Sequence, residues 1–188
     1  MWLIDTLYGV IAAPRQTFGQ LAGRYRADRA LLWPAGTVVV VCGVQEGLRA
    51  GAWQGGALLP AVAVSALGFV FLWLSLVAVP GVLCLAFPVS RAAVGSFAVT
   101  SGFSFLPWVF MGPLSLYGVV LGQGIVLIFW LTQLAWMLYL LYLAVQQSFS
   151  LSGKQVLSVL FILPPVILLA IWLLVWQIIS SVVALLLT

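Results

Sequence analysis

The sequence predicts an all-α membrane protein: a polytopic bundle of five transmembrane helices preceded by an N-terminal amphipathic helical segment. Three observations predict this fold class. Hydrophobic residues make up 65% of the 188 residues, and charged residues make up only 5%, whereas a soluble domain has about 25% charged residues. The few charges divide the chain into long apolar stretches. Such a composition suits hydrocarbon better than water.

The lengths of the uncharged stretches predict the number of spans. Charges are absent from residues 30–45, 50–90, 92–153 and 155–188, and a spanning helix needs ~20 apolar residues. The third stretch is too long for one helix and too short for three, and Gly112-Pro113 is expected to break it. A kink is expected at Pro164-Pro165. The predicted transmembrane domain covers residues 30–188, with helices at about 31–49, 58–87, 93–111, 117–147 and 155–185.

The basic residues predict the orientation of these helices. With five spans, six of the seven basic residues fall on one side of the membrane: Arg15, Arg24, Arg26, Arg29, Arg91 and Lys154. Arg49 falls on the other side. Because cytoplasmic loops carry an excess of Lys and Arg, we expect a cytoplasmic N-terminus and a C-terminus outside.

Residues 1–29, here called the arm, differ from the spans. The apolar residues Leu3, Ile4, Leu7, Val10 and Ile11 share one helix face. Pro14 can begin a second helix, in which apolar residues recur at helical spacing. We predict a broken amphipathic helix that lies in the cytoplasmic interface and contacts anionic lipid headgroups; the alternative is a soluble cap packed on the bundle. The predicted interface residues are Pro14, Arg15, Thr17, Phe18, Leu21, Arg24, Tyr25 and Arg26.

The opening stretch LIDTLYGVIAAPRQTFGQLAGRYR, residues 3–26, resembles the N-terminal signature of prokaryotic Yip1-domain membrane proteins. The resemblance lies in an amphipathic stretch, the pattern Pro14-x-x-Thr17-Phe18, and a basic segment that enters a five-span region. It implies residence in a prokaryotic cytoplasmic (inner) membrane. Eukaryotic members of the family are similar to vesicle-trafficking adaptors that associate with Rab-type GTPases and with one another. Their Asp-Leu-Tyr-Gly-Pro motif has only a partial counterpart here, Thr6-Leu7-Tyr8-Gly9.

Glu46 is the one acidic residue within or near a predicted span, and such a group is a functional candidate. With Gln45 it could form a proton- or cation-coupled polar site. Arg49 lies three residues further on, on the same helix face. The alternative is therefore an interfacial ion pair near the outer end of the first span.

Small and hydroxyl residues form a stripe on the third and fourth spans. Ser96, Thr100 and Ser104 recur every four residues, and Gly118 and Gly122 repeat this spacing. Such stripes let membrane helices approach closely, so we interpret them as packing surfaces. A polar path for a solute is the alternative interpretation.

The sequence shows no constellation typical of an enzyme. It contains no histidine, the commonest general base and metal ligand, and Cys42 and Cys84 lie in separate apolar runs. We expect no cofactor, no metal and no nucleic-acid partner. The predicted function is non-enzymatic: membrane organisation or docking of an unknown protein partner, with homo-oligomers possible. The alternative is a small transporter or channel for an ion or small solute.

Overall fold

The computed structural model describes residues 2–25, 28–54, 58–85, 91–110 and 123–157, which fall into two compact units, Met1–Leu151 and Ser152–Thr188. The described part of the first unit is helical. Its helices are α1 (Trp2–Ala12), α2 (Pro14–Tyr25), α3 (Leu32–Gln54), α4 (Leu58–Leu85), α5 (Arg91–Ser104), α6 (Leu106–Val109) and α7 (Gln123–Phe149). A short 3₁₀ turn, Arg29–Leu31, leads into α3.

Three of the described helices are long and apolar enough to cross a bilayer, which identifies the chain as an integral membrane protein. The apolar segments are Arg29–Arg49, Leu58–Ala78 and Gly124–Phe149. A shorter apolar segment, Ala93–Val109, lies between the second and third of them in sequence. None of the residues of the α4 segment is fully buried; exposed positions alternate with partly covered ones such as Phe69 and Trp73, as expected for a helix with one face toward lipid.

Contacts along the helices give their relative directions. Gly43 of α3 lies against Ala66 of α4, and Gly47 lies against Val62, so α3 and α4 are antiparallel. Ala35 of α3 contacts Gly102 of α5, and Cys42 of α3 contacts Phe105, which directly follows α5. The segment formed by α5 and α6 therefore runs in the same direction as α3.

Helix α7 runs opposite to α5. Phe97 packs on Phe149 with ring centroids 5.4 Å apart, and Trp108 packs on Trp130 at 6.4 Å. The chain thus alternates in direction through α3, α4, the α5–α6 segment and α7.

Helix α5 lies at the centre of this unit, in contact with α2, α3, α4 and α7. Every residue from Ser96 to Pro107 is buried. Because most of its side chains are small, neighbouring backbones can approach closely on several sides. At Gly102, for example, an added Cβ would lie 2.8 Å from the Cβ of Ala35.

The helix predicted over 93–111 is divided in the structure. Helix α5 ends at Ser104, Phe105 forms a turn, and α6 covers Leu106–Val109. Pro107 explains the break, because proline lacks a backbone donor and its ring clashes with the preceding turn. The carbonyl of Phe105 accepts hydrogen bonds from the Trp108 amide at 2.9 Å and from the Cys42 thiol at 3.4 Å.

The other helix ends also differ somewhat from the prediction. Helix α3 extends to Gln54, beyond the predicted 31–49, and α7 ends at Phe149 where 147 was predicted. Residues 117–122 of that predicted helix lie outside the described residues. Helix α7 ends where Ser150 adopts a positive φ of 53°. Gly112-Pro113, Pro164-Pro165 and most of the predicted span 155–185 lie outside the described residues.

In the second unit, the described residues show how a helix begins. Residues 153–157 are helical, and the side chain of Gln155 accepts hydrogen bonds from the Ser152 amide at 3.0 Å and from its hydroxyl at 2.9 Å. Serine followed three residues later by glutamine is typical of a helix N-terminus.

Candidate functional site in the N-terminal arm

The arm forms two helices joined by one residue, Ala13. Pro14 begins α2, a position that tolerates the missing amide. The two helices fold against each other at Gly9, where an added Cβ would lie 2.5 Å from the Thr17 hydroxyl. Glycine therefore permits this close approach. At the open end, the Arg24 guanidinium carbon lies 5.6 Å from the centre of the Trp2 ring, a cation–π contact.

The inner face of α2 is buried in the helical bundle. Phe18 is 0% exposed and Leu21 is 2% exposed, and α2 contacts α5 and α7. The Ser96 hydroxyl donates to the Ala22 carbonyl at 3.4 Å. The Tyr25 ring lies directly over Gly95, where a Cβ would collide with it.

These contacts correct one part of the sequence interpretation. Phe18 and Leu21 were expected to enter the lipid, but in this structure they are covered by protein, as in the alternative of a packed cap. The amphipathic pattern of α2 shows that one face is apolar, and it carries no information about what covers that face.

Helix α1 presents an apolar face that the bundle leaves uncovered. Thr6 and Val10 are buried on its inner side. On the other side, Ile4 and Tyr8 are more than 70% exposed. The members of this exposed stripe are Leu3, Ile4, Leu7, Tyr8 and Ile11, of which Leu7 is half-buried and the others are exposed. At 100° per residue these five positions share one face.

A groove of about 500 Å³ lies between α1 and α2. Its polar lining comes from both helices. The residues used below are Trp2, Asp5, Thr6, Thr17, Gln20 and Arg24. Thr6 and Thr17 donate their hydroxyl protons to carbonyls of their own helices, at 2.9 Å and 3.0 Å.

Other residues of the arm lie outside this groove. Pro14 is partly exposed, and the side chains of Arg15 and Arg29 are exposed. Asp28 accepts a hydrogen bond from the Ala30 amide at 2.9 Å and so begins the 3₁₀ turn that enters α3. Arg26 lies outside the described residues.

The second predicted site lies in the second half of α3 and contains an ion pair. Arg49 bonds to both carboxylate oxygens of Glu46, with its Nε 3.0 Å from Oε2 and 3.2 Å from Oε1. The Arg49 and Glu46 side chains are 46% and 26% exposed. The amide oxygen of Gln45 is buried and accepts no hydrogen bond from the described part of the chain.

The third predicted feature, the hydroxyl stripe of α5, is buried and hydrogen-bonded within the bundle. Thr100 and Ser148 of α7 share a hydrogen bond of 3.1 Å, and Ser104 donates to the Thr100 carbonyl at 3.1 Å. Ser101, which the four-residue spacing misses, accepts a bond of 3.1 Å from the indole of Trp73. The Thr100 and Ser101 hydroxyls therefore link helices, whereas Ser104 bonds within α5. Gly118 and Gly122 lie outside the described residues.

Sequence reasoning missed a close contact between α3 and α4. At Gly43 an added Cβ would lie 2.6 Å from the Ala66 Cα, and at Gly47 it would collide with the Val62 backbone. The signal was present as two glycines four residues apart within an apolar stretch, a known packing motif of membrane helices.

Neither a metal site nor a similarity to known proteins adds to this description of the described residues. In the described ranges, His, Cys, Asp and Glu side chains do not gather in threes that could hold a metal ion. No family model, curated protein or solved structure matches the chain.

Proposed function

We propose that the protein is a non-enzymatic, five-span membrane protein of the Yip1 type that organises the cytoplasmic surface of a prokaryotic inner membrane or docks a partner there. The observation that carries this proposal is the uncovered apolar stripe of α1. The stripe belongs to an arm that α2 holds on the bundle, so the arm has a fixed place from which to present it.

The position of the arm supports a membrane surface as its contact. Helix α2 packs near the first residues of α5 and the last residues of α7, at the end of the bundle where α3 begins. A transmembrane helix ends near the interface, so α1 lies near headgroup depth. Arg15, Arg24 and Arg29 belong to the same end, and arginines near an anionic leaflet contribute about 1 kcal/mol each.

Accessibility of a spin label tests this placement. The label is attached to a cysteine at Ile4 or, as the control, at exposed Gln16, with Cys42 and Cys84 replaced by alanine. In bilayers, the Ile4 label is expected to collide more with oxygen, which concentrates in hydrocarbon, than with a water-soluble nickel reagent. The Gln16 label is expected to show the reverse. Equal accessibility to the nickel reagent at both positions would contradict the surface role.

Transport of an ion or small solute is a second candidate function, favoured by the buried amide oxygen of Gln45 beside Glu46. Under our leading proposal, Glu46 and Arg49 form an interfacial ion pair, which contributes only ~0–1 kcal/mol. Glu46→Gln should then leave thermal stability in detergent nearly unchanged, and liposomes containing either protein should show the same ion flux. A flux that the wild type supports and the variant abolishes would favour transport.

A further inference from the structure

The groove between α1 and α2 carries one positive and one negative side chain that do not pair with each other. Within the described part of the chain, neither Asp5 nor Arg24 forms an ion pair. The Arg24 guanidinium instead lies over the Trp2 ring, which holds it at the side of the groove. Two opposite charges that line one groove without meeting can both be satisfied by a ligand that carries both charges.

We propose that this groove binds the headgroup of a zwitterionic phospholipid that bears a primary ammonium, such as phosphatidylethanolamine. Arg24 binds the phosphate, and Asp5 binds the ammonium. This proposal rests on the proposed location of the arm at the membrane surface, and it adds a lipid class to that location.

The donors and acceptors of the groove fit the two halves of such a headgroup. A guanidinium matches phosphate geometry with paired N–H donors, and the Gln20 amide adds further donors. The Thr6 and Thr17 hydroxyl protons are already donated to backbone carbonyls. Their oxygens therefore remain acceptors, which suits an ammonium and not a phosphate.

The size and position of the groove also fit a lipid. Its volume of about 500 Å³ lies within the usual range for small-molecule sites. Tyr8, on the exposed apolar stripe, lies one helical turn from Asp5 on neighbouring sides of α1. Acyl chains that leave the groove past Asp5 would therefore meet the stripe at its edge, at Tyr8.

Native mass spectrometry of the full-length protein in detergent, with added lipid, tests the proposal. The wild type is expected to bind phosphatidylethanolamine more tightly than phosphatidylglycerol, which lacks the ammonium. Arg24→Gln should weaken both lipids about ten- to a hundredfold, since a hydrogen bond to a charged group contributes about 1.5–3 kcal/mol. Asp5→Asn should weaken phosphatidylethanolamine by a similar factor and leave phosphatidylglycerol unchanged or tighter.

The matched controls are charge-removing variants of the same arm outside the groove. Arg15→Gln and Asp28→Asn should leave both affinities within about twofold, and Asn at position 28 can still cap the turn. If Arg15→Gln and Arg24→Gln weakened lipid binding equally, the proposal would be overturned, because any positive charge of the arm would then serve as well as Arg24. An unchanged lipid preference in Asp5→Asn would overturn the assignment of the ammonium.

Soluble phosphoethanolamine separates the two sources of this chemistry. If it binds as tightly as the diacyl lipid, the groove recognises a soluble ester and the lipid assignment is wrong. Because detergent offers no bilayer surface, these affinities do not depend on whether α1 rests on a membrane. A label at Ile4 that lies in water would contradict the proposed function and leave the lipid preference unchanged. A label at Ile4 that lies in hydrocarbon, together with no preference for phosphatidylethanolamine, would contradict only the groove as a lipid site.

Discussion

At the scale of single residues, glycine positions decide how closely α3 and α4 pack. Membrane helices gain little from burying apolar surface against each other, because lipid is equally apolar, so close van der Waals contact contributes more of their association. Gly47 lies against the backbone of Val62, and a backbone cannot move aside as a flexible side chain can.

Gly47→Ala is therefore expected to destabilise the protein by about 1–3 kcal/mol, the usual cost of overpacking. Gly68→Ala in α4 is the matched control, because an added Cβ there meets nothing within 4 Å and alanine favours helix over glycine. Thermal unfolding in detergent measures both. The account of α3–α4 packing would be wrong if the two variants melted at the same temperature.

Residue roles within the bundle could be predicted from the sequence only in part. The spacing of Ser96, Thr100 and Ser104 identified a packing surface on one face, and all three side chains are buried. Ser101 and Gly102 lie outside that spacing, yet both contact neighbouring helices. A helix surrounded by four others is buried on every side, so a single-face pattern cannot find all of its contacts.

At the scale of elements, the arm combines a helix that anchors it and a helix that is available for contact. The sequence predicts two amphipathic helices broken at Pro14, with both apolar faces in the lipid interface or, as the alternative, packed on the bundle. In the structure α2 covers its face with α5 and α7, and α1 leaves part of its face exposed. The sequence pattern could not predict which helix packs on protein and which stays exposed, because lipid and protein interior favour the same apolar side chains.

Phe18→Ala tests the anchoring role of α2. A buried phenylalanine reduced to alanine costs about 3–5 kcal/mol in a packed interior, so the variant should unfold at a clearly lower temperature in detergent. Tyr8→Ala in α1 is the control, because Tyr8 is 72% exposed and its removal opens no cavity. Equal melting temperatures of Phe18→Ala and the wild type would contradict the packing of the arm on the bundle.

The long helices were easier to predict from the sequence than the positions at which a helix breaks. Helix α4 follows directly from the length of its uncharged stretch, since ~20 apolar residues have few alternatives to a span. Helix α3 extends past the shorter stretch 30–45 and includes Glu46 and Arg49. The break at Phe105 was missed because the stretch around it stays apolar. Only Pro107 indicates it, and membrane helices often continue through a proline when neighbours satisfy the freed groups.

At the scale of the whole molecule, the account depends on an odd number of membrane crossings. The described helices alternate in direction through α3, α4, the α5–α6 segment and α7, which would be four crossings. A fifth crossing by residues 155–185 would then place the C-terminus opposite the arm. The six-to-one distribution of basic residues favours a cytoplasmic N-terminus, and the uncharged, apolar stretch 155–188 is long enough for the fifth crossing.

Reporter fusions at the two termini test this central claim most directly. Two reporter enzymes are used, one active only in the cytoplasm and one active only outside. Each is fused, in separate proteins, to the N-terminus or to the C-terminus after Thr188. The account predicts cytoplasmic activity at the N-terminus and external activity at the C-terminus. Activity of both fusions on the same side of the membrane would contradict the five-span architecture.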